Sequence, residues 1–444
     1  MFSSSHNNDQ LVDPSKKWRL SKRHITISAW ALYEFASSLF SMNIISLYFA
    51  LWVTIDMHGE DIFYSCALSI SMLLSAISAP ILGAASDRLQ KRMPFIIATA
   101  LLCAISTSFI GQLHHLWLGL VLFAIANYGY QLAEVFYNAL LPTICETEKL
   151  GTISGYGIGF GYFGTIAGLL LVSPFVLKYG RPAAFLPTAC FYLLFALPCF
   201  FFVKDKAITT AKTPFRFKEV LHDAFSKTKN TITHIKQYKN LLDFMIAAFL
   251  ALNAVSTIYI FMSVYIKKVI GFSDSKMITY YMICSVFAIA GSFACGYITD
   301  RLGAKRTFSY ALALWCITLI MALISLNPNL FWVVGPLAGI SLGSTWTSAR
   351  TLVVQLSPED MVGEVFGFYG LIGRSASIMG PLLWGASVYA FRSFGVQKYR
   401  ITVFMLLLFI IAGLWYVQRV PEPEKNLGLR KGKERENHPG EILS

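Results

Sequence analysis

The sequence predicts an all-α integral membrane protein of about twelve transmembrane helices, arranged in two pseudo-symmetric six-helix bundles. Of its 444 residues, 55% are hydrophobic and 14% are charged, whereas a soluble domain carries about 25% charged residues. Continuous apolar runs of about 18 residues or more, without the alternation of membrane strands, indicate spanning helices. The runs lie near residues 27–53, 63–85, 93–112, 116–140, 152–176, 184–203, 241–265, 278–298, 307–326, 330–349, 364–390 and 399–418.

A short basic motif occurs twice, each time between two apolar runs. One copy reads GAASDRLQKR around Asp87, and the other reads GYITDRLGAKR around Asp300, 213 positions later. Glycines of the fifth and eleventh runs match at an offset of 212, among them Gly168 and Gly380. Two matches at nearly one offset, close to half the chain, predict two similar halves.

The apolar runs and the polar stretches between them divide the chain into five parts. Residues 1–25 form a basic leader, 26–203 the first bundle, 204–239 a basic linker, 240–420 the second bundle and 421–444 a charged tail. The tail is predicted to be disordered, because it has too few apolar residues to build a core.

The net charge of +13 is distributed unevenly along the chain. Basic residues crowd the leader, both repeated motifs, the linker and the tail, which all fall on one side of a twelve-helix protein. This bias predicts that both termini are cytoplasmic. We therefore expect the basic residues to lie against a lipid bilayer, and we expect no nucleic acid as a partner. We expect a monomer in a bacterial cytoplasmic (inner) membrane.

The repeated motif resembles the signature of the major facilitator superfamily, and residues 358–364 resemble the acidic segment that this superfamily carries before its eleventh span. The resemblance implies a secondary transporter that works by alternating access, with the motif aspartates meeting helix N-termini of the other half. The alternative is a basic loop that only fixes topology. The residues to which the resemblance assigns gating are Gly83, Asp87, Arg88, Arg92, Gly296, Asp300, Arg301 and Arg306.

A narrower resemblance lies in the first half. Residues 30–38, WALYEFASS, look like the first-span motif of the vacuolar-effluxer-like branch, named for an autophagy-related amino-acid exporter, and residues 135–142 and 154–164 match further segments. The branch usually has Asp and then Asn where this chain has Glu34 and Ser37. The resemblance implies efflux of amino acids or similar small zwitterions.

Four ionisable residues fall inside predicted spans, where charge is unfavourable and usually functional. Glu34 and Glu134 are candidates for proton coupling, with a structural ion pair as the alternative. Arg374 lies near the middle of its span and could bind a substrate carboxylate or an internal acid. Arg350 lies near the end of its span, where a position among lipid headgroups is favoured.

Polar residues on the first, fourth, seventh and tenth spans are further candidates, because the resemblance places those spans around a cavity. For each of them a hydrogen bond between helices is the competing interpretation. The predicted substrate contacts are Tyr33, Asn43, Gln131, Asn138, Asn253, Tyr259 and Trp346.

No motif in the sequence supports an enzymatic function. Residues 159–164 fit G-x-G-x-x-G and residues 339–343 fit G-x-S-x-G, but both lie inside apolar spans without the strand that those motifs require. The eight cysteines are scattered and form no C-x-x-C. We expect no enzyme, no cofactor and no metal, but a transporter of a small polar solute coupled to protons. A receptor or scaffold that kept the transporter fold is the alternative.

Overall fold

The computed structural model describes residues 14–89, 91–112, 115–144, 150–205, 238–325, 327–358 and 361–422. Most of the predicted linker and tail therefore lies outside the described residues. The first helix begins at Pro14, so that the second part of the predicted leader 1–25 is helical. No strand occurs among the described residues.

Twelve long helices make up the described chain, and they are numbered here α1 to α12. In the first half they are α1 (14–56), α2 (Asp61–Leu89), α3 (Met93–Ile110), α4 (Leu116–Ile144), α5 (Leu150–Tyr179) and α6 (Arg181–Phe202). In the second half they are α7 (Lys239–Ile270), α8 (Asp274–Leu302), α9 (Ala304–Ile324), α10 (Pro328–Leu356), α11 (Val362–Ala390) and α12 (Gln397–Arg419).

The helices confirm the predicted all-α membrane fold. Ten of those in the described residues are long and apolar enough to cross a membrane. The other two, α10 and α11, are as long but less apolar. Both of these helices line the central cavity described below.

The two halves repeat the same helix packing. The main contacts of the first half are α1 with α5 and α6, α3 with α4 and α6, and α2 with α4. Those of the second half are α7 with α11 and α12, α9 with α10 and α12, and α8 with α10. Each pair in the second half is the pair of the first half shifted by six helices. The halves meet mainly through α2 with α11 and α5 with α8, which again are related by this shift.

The matching glycines occupy equivalent contacts. A Cβ on Gly168 of α5 would lie 2.8 Å from Nδ2 of Asn43 in α1, and one on Gly380 of α11 would lie 2.7 Å from the carbonyl oxygen of Asn253 in α7. Both glycines therefore let two helices of one half approach closely.

Helix α1 departs from regular α-helix at two places. The stretches Ser41–Tyr48 and Trp52–Asp56 are π-helical, and α7 has a π-helical end at Ile266–Ile270. The second stretch of α1 has its counterpart in α7, whereas the first has none. π-helical turns inside α-helices frequently mark functional sites, and Ser41, Met42 and Ile45 of this stretch line the cavity described below.

Two ends of the bundle need names. The linker end is the end at which Val203 follows α6 and Tyr238 precedes α7. The far end is the opposite one, where α1 is followed by α2 and α7 by α8. Since consecutive helices are joined by short connections, they run alternately between these two ends.

Candidate functional site

A cavity of about 1540 Å³ lies between the two halves. Helices α1, α2, α4 and α5 form one wall, and α7 to α11 form the other. Exposed wall residues such as Asn138 and Val354 lie toward the linker end, whereas the α1 residues from Ile44 to Val53, toward the far end, are all buried. The cavity therefore opens at the linker end and is closed at the far end.

The wall of the first half carries two acidic residues, Glu34 of α1 and Glu134 of α4. The hydroxyl of Ser37 donates a hydrogen bond of 2.5 Å to Oε1 of Glu134, and it lies 3.2 Å from the hydroxyl of Tyr130. Glu34 lies close enough to Glu134 and to the hydroxyl of Tyr137 to interact with each. The two carboxyl groups therefore belong to one hydrogen-bonding cluster between α1 and α4.

The wall of the second half carries two basic residues, Arg350 of α10 and Arg374 of α11. Arg350 interacts electrostatically with Glu34 across the cavity. The side chain of Arg350 therefore faces the cavity, near the linker end of α10. Arg374 is exposed to the cavity and, within the described residues, forms no hydrogen bond or ion pair. Opposite charges thus stand on the two halves of one cavity.

Four of the predicted polar contacts also lie on the cavity wall, namely Gln131, Asn138, Tyr259 and Trp346. The hydroxyl of Tyr259 lies 3.3 Å from that of Ser41, and this contact joins the two halves. Their contact with a substrate stays a prediction.

The remaining three predicted contacts, Tyr33, Asn43 and Asn253, do not line the cavity. Tyr33 is fully buried, and its hydroxyl lies 3.0 Å from that of Tyr192. The amides of Asn43 and Asn253 each donate to a carbonyl one turn back in their own helix, 3.1 Å and 2.8 Å away. Tyr33 thus makes the hydrogen bond between helices that was the alternative interpretation, whereas Asn43 and Asn253 bond within their own helices.

Several wall residues were not identified from the sequence. Tyr162, Tyr281, Tyr369 and Trp315 line the cavity, and aromatic residues on membrane helices carry no periodic signal that separates a cavity from packing. The hydroxyls of Tyr281 and Tyr369 are buried and have no hydrogen-bond partner among the residues that the structure describes. An unpaired buried hydroxyl on a cavity wall is a candidate ligand contact.

The first copy of the basic motif is described in part. The side chains of Asp87 and Arg88 lie outside the described residues. A Cβ on Gly83 would meet no atom within 4 Å. Arg92 donates from Nη1 to the carbonyl of Ala139 at the end of α4, and its backbone N–H donates to Asp205 at 2.9 Å.

The second copy lies at the surface of the linker end. Asp300 is exposed and, within the described residues, forms no hydrogen bond or ion pair. Gly296 has no neighbour within 4 Å of an added Cβ. The guanidinium of Arg301 stacks on the ring of Tyr297 at 4.2 Å, and Arg306 lies 3.4 Å from the carboxylate of Glu422. Because the linker end is open, neither Gly83 nor Gly296 packs against another described helix in this state.

Charged residues close the far end. Arg181 at the start of α6 contacts Asp56 of α1 at 2.5 Å and Asp274 of α8 at 3.1 Å. Lys267 of α7 contacts the same oxygen of Asp274 at 2.7 Å. One of these contacts, Arg181 with Asp274, joins the two halves.

Metal binding has no visible site in the part of the chain that the structure describes, since no group of three or more His, Cys, Asp or Glu could hold an ion there.

A twelve-helix fold of two repeated halves, with a charged cavity open at one end, defines a membrane transporter, and comparison with known proteins gives its family. The sequence model of the Major Facilitator Superfamily matches residues 33–381 and 281–441. The chain belongs to this superfamily. Its members are transporters rather than enzymes.

Relatives and solved structures agree with this assignment. The chain is 26% identical over 417 residues to an uncharacterized MFS-type transporter, YxiO, of Bacillus subtilis (strain 168), which covers 89% of this chain and 94% of that protein. It is 25% identical over 386 residues to the multidrug resistance protein MdtG of Salmonella choleraesuis (strain SC-B67), with 84% and 91% covered.

Among solved structures, a mutant of the nucleoside transporter NupG has a TM-score of 0.72 at 12% identity, covering 89% of this chain and 99% of that one. A bacterial homolog of the human lysosomal transporter Spinster, inward-facing and unoccupied, has a TM-score of 0.69 at 12% identity, covering 91% and 97%. At this identity the likeness concerns the fold.

Proposed function

We propose that this transporter moves a small organic solute that carries an anionic group, with amino acids as the first candidates, and that it is coupled to protons. The observation that carries the proposal is the pair of opposite charges on the cavity wall, acidic on the first half and basic on the second. A charge inside a membrane bundle is retained where it binds a solute or an ion.

Arg374 is the proposed site for the anionic group. It lies on the wall near the middle of α11, and no carboxylate of the described residues pairs with it. A guanidinium binds a carboxylate with two parallel hydrogen bonds, which gives both affinity and orientation. The resemblance of residues 30–38 to the vacuolar-effluxer-like branch makes amino acids and related zwitterions the class to test first.

Glu34 and Glu134 are the proposed coupling groups. Two carboxylates in one cavity of low dielectric repel each other, and a shared proton removes that repulsion. If the proton leaves when the cavity opens to the other side, solute movement follows the pH gradient. Arg350 faces Glu34. When the proton leaves, Arg350 can take its place as the partner of the Glu34 carboxylate.

The orientation follows from the basic residues and is also a proposal. With both termini in the cytoplasm of a bacterium, the linker end is cytoplasmic and the structure is the inward-facing state of a monomer in the inner membrane. A cysteine placed in 205–235 should react with a membrane-impermeant maleimide only from the cytoplasm, and one at Gly59 only from outside. The opposite pattern would reverse the orientation.

Flux in proteoliposomes tests the function. Labelled amino acids are offered with and without a pH gradient, and Glu34→Gln is compared with Glu60→Gln, which removes an exposed acid at the far end. We expect Glu34→Gln to abolish accumulation driven by the gradient while exchange of solute across the membrane continues. Glu60→Gln should behave as the parent.

The same assay separates the alternatives. Unchanged pH dependence in Glu34→Gln would make this residue structural and direct the test to Glu134. Absence of flux for every amino acid would remove this substrate class, and a chain that binds solutes without moving them would be a receptor.

A further inference from the structure

We infer that the substrate is amphipathic and extended, with an anionic group at Arg374 and an aromatic end that carries a polar atom, bound in a separate part of the cavity. This inference rests on the transport function proposed above and names the substrate class of the same site. The second part, here called the aromatic pocket, is lined by Tyr280, Tyr281, Cys284, Trp315, Leu319 and Val334.

The aromatic pocket lies within the second half, between α8, α9 and α10. The charged residues of the described cavity wall are Glu34, Glu134, Arg350 and Arg374. Only Arg350 is on one of these three helices, and it lies toward the linker end of α10, sixteen residues beyond Val334. The cavity is therefore divided into a charged part between the halves and an uncharged, aromatic part inside the second half. A solute that fills both parts must therefore have one charged end and one uncharged, aromatic end.

The walls of the aromatic pocket are held in place by their own contacts. The indole N–H of Trp315 donates to the hydroxyl of Thr345 at 3.1 Å. The ring of Tyr280 packs on that of Phe331, with centroids 5.5 Å apart, and lies edge-on to Tyr281 at 6.0 Å. Fixed aromatic faces favour a flat apolar group over a flexible one, because aromatic pairs add stabilisation beyond the buried area.

Tyr281 supplies the polar contact of this pocket. Its side chain is 8% exposed, and its hydroxyl forms no hydrogen bond to any part of the chain that the structure describes. The hydroxyl of Ser263 is also buried and lies near enough to that of Tyr281 for the two to interact, but neither forms a well-directed hydrogen bond within the described residues. A buried hydroxyl without a partner is unfavourable by about 1–3 kcal/mol, so a polar atom on the bound group would be recognised here.

The separation of the two parts sets the length of the substrate. Tyr281 lies seven residues from the far end of α8, whereas Arg374 lies sixteen residues from the far end of α11. The difference of nine residues corresponds to roughly 14 Å along the bundle axis at the rise of an α-helix. The arginine side chain covers part of this length. A small aliphatic amino acid would reach one part of the cavity but not both.

The volume of the cavity agrees with an extended substrate. At about 1540 Å³ it exceeds the roughly 300–1,000 Å³ of pockets that bind drug-sized ligands. There is room for an extended organic anion or zwitterion together with water.

Cys284 provides a direct test, because it lies on the wall of the aromatic pocket and is partly exposed. In a protein that keeps Cys284 and has serine at the other seven cysteines, the rate of alkylation by N-ethylmaleimide is measured with four probes. These are para-hydroxyphenylbutyrate, phenylbutyrate, octanoate and the amide of the first probe. They separate the polar atom, the ring and the anionic group.

We expect para-hydroxyphenylbutyrate to protect Cys284 best, and octanoate to need a concentration about tenfold higher for half-protection. Tyr281→Phe should remove the several-fold advantage of the hydroxylated ring over phenylbutyrate, whereas Tyr310→Phe, at an exposed position of α9, should keep it. Arg374→Gln should weaken protection by the three anions and leave the amide unchanged.

Equal protection by octanoate and the aromatic anions, or none by any probe, would overturn the inference. The same would hold if Arg374→Gln affected the amide as strongly as the anions. These outcomes are independent of coupling, because protection is an equilibrium measurement. Flux of a protecting probe without dependence on pH would contradict the proposed proton coupling and leave the substrate class standing.

Discussion

Arg181 and Asp274 form an ion pair between the two halves at the far end, with 3.1 Å between Nη2 and Oδ1. The side chains are 10% and 27% exposed, and Arg181 also holds Asp56 of its own half. The pair therefore ties α8 of the second half to α1 and α6 of the first. It must break when the far end opens, so it favours the state seen here.

Asp274→Asn should shift the protein toward far-end opening. The reporter is a cysteine at Ser69, which is 4% exposed and donates to the carbonyl of Ile378 in the other half. We expect alkylation of this cysteine to be several-fold faster in Asp274→Asn, because a partly exposed pair contributes about 1 kcal/mol or less.

The matched control is Asp56→Asn, which removes the partner of Arg181 within the first half and keeps the contact between the halves. Its effect on the reporter should be smaller. Equal rates in the parent and in Asp274→Asn would show that the ion pair does not hold the far end closed.

A second contact between the halves involves a buried carboxylate. Asp61 of α2 is 2% exposed and accepts from the indole of Trp384 at 3.2 Å and from the hydroxyl of Tyr399 at 3.0 Å. Tyr399→Phe leaves one carboxylate oxygen without its donor. We expect the free energy of unfolding in detergent to fall by about 1–3 kcal/mol, read as a lower melting temperature.

Tyr389→Phe is the control for this change, since Tyr389 is exposed at the end of α11. Its melting temperature should equal that of the parent. Equal melting of Tyr399→Phe and Tyr389→Phe would mean that Asp61 finds another donor.

Glycines on the cavity wall differ in what surrounds them, which gives a third prediction. A Cβ on Gly339 of α10 would collide with the carbonyl oxygen of Cys284 and lie 3.0 Å from the backbone nitrogen of Ala288, whereas one on Gly370 of α11 would meet nothing within 4 Å. Gly339→Ala should lower stability by about 1–3 kcal/mol through the forced separation of α8 and α10.

Gly370→Ala should leave stability unchanged or raise it slightly, because alanine favours helix and has room. Thermal unfolding of the two purified variants decides between these expectations. A stable Gly339→Ala protein would show that α8 and α10 can separate without loss.

The sequence predicted the fold because each element carries its own signal. The spans are recognisable from the length of their apolar runs, and the repeat from glycines such as Gly168 and Gly380, which let two helices of one half approach closely. Glu34, Glu134 and Arg374 were identifiable because a charge inside a span stands out from its surroundings. All three lie on the cavity wall.

Other parts of the site have no such signal. Tyr281 has the same appearance in sequence as an aromatic residue that packs in the core. Asn43 and Asn253 were candidates as polar residues on cavity helices, but a helix carbonyl can accept from their amide N–H groups, and rotation about the helix axis decides which way the side chains point. The pair of Arg181 and Asp274 joins the first residues of two helices in different halves, and only the assembled bundle brings them together.

The last prediction concerns the repeated motif at the linker end. Asp300 is exposed and without a partner in the described residues, and Gly296 has open space around it. If the motif acts when the linker end closes, Asp300 should contribute nothing to the stability of the state seen here. Asp300→Asn should then melt as the parent does while it slows exchange of solute in proteoliposomes.

Asp87→Asn, in the first copy, should slow exchange several-fold and more strongly than Asp300→Asn. Both variants need normal membrane insertion for the comparison. Parental exchange in Asp87→Asn would remove the gating role and leave the motif as a basic loop that fixes topology, whereas slow exchange accompanied by a lower melting temperature would indicate a structural contact in the open state instead.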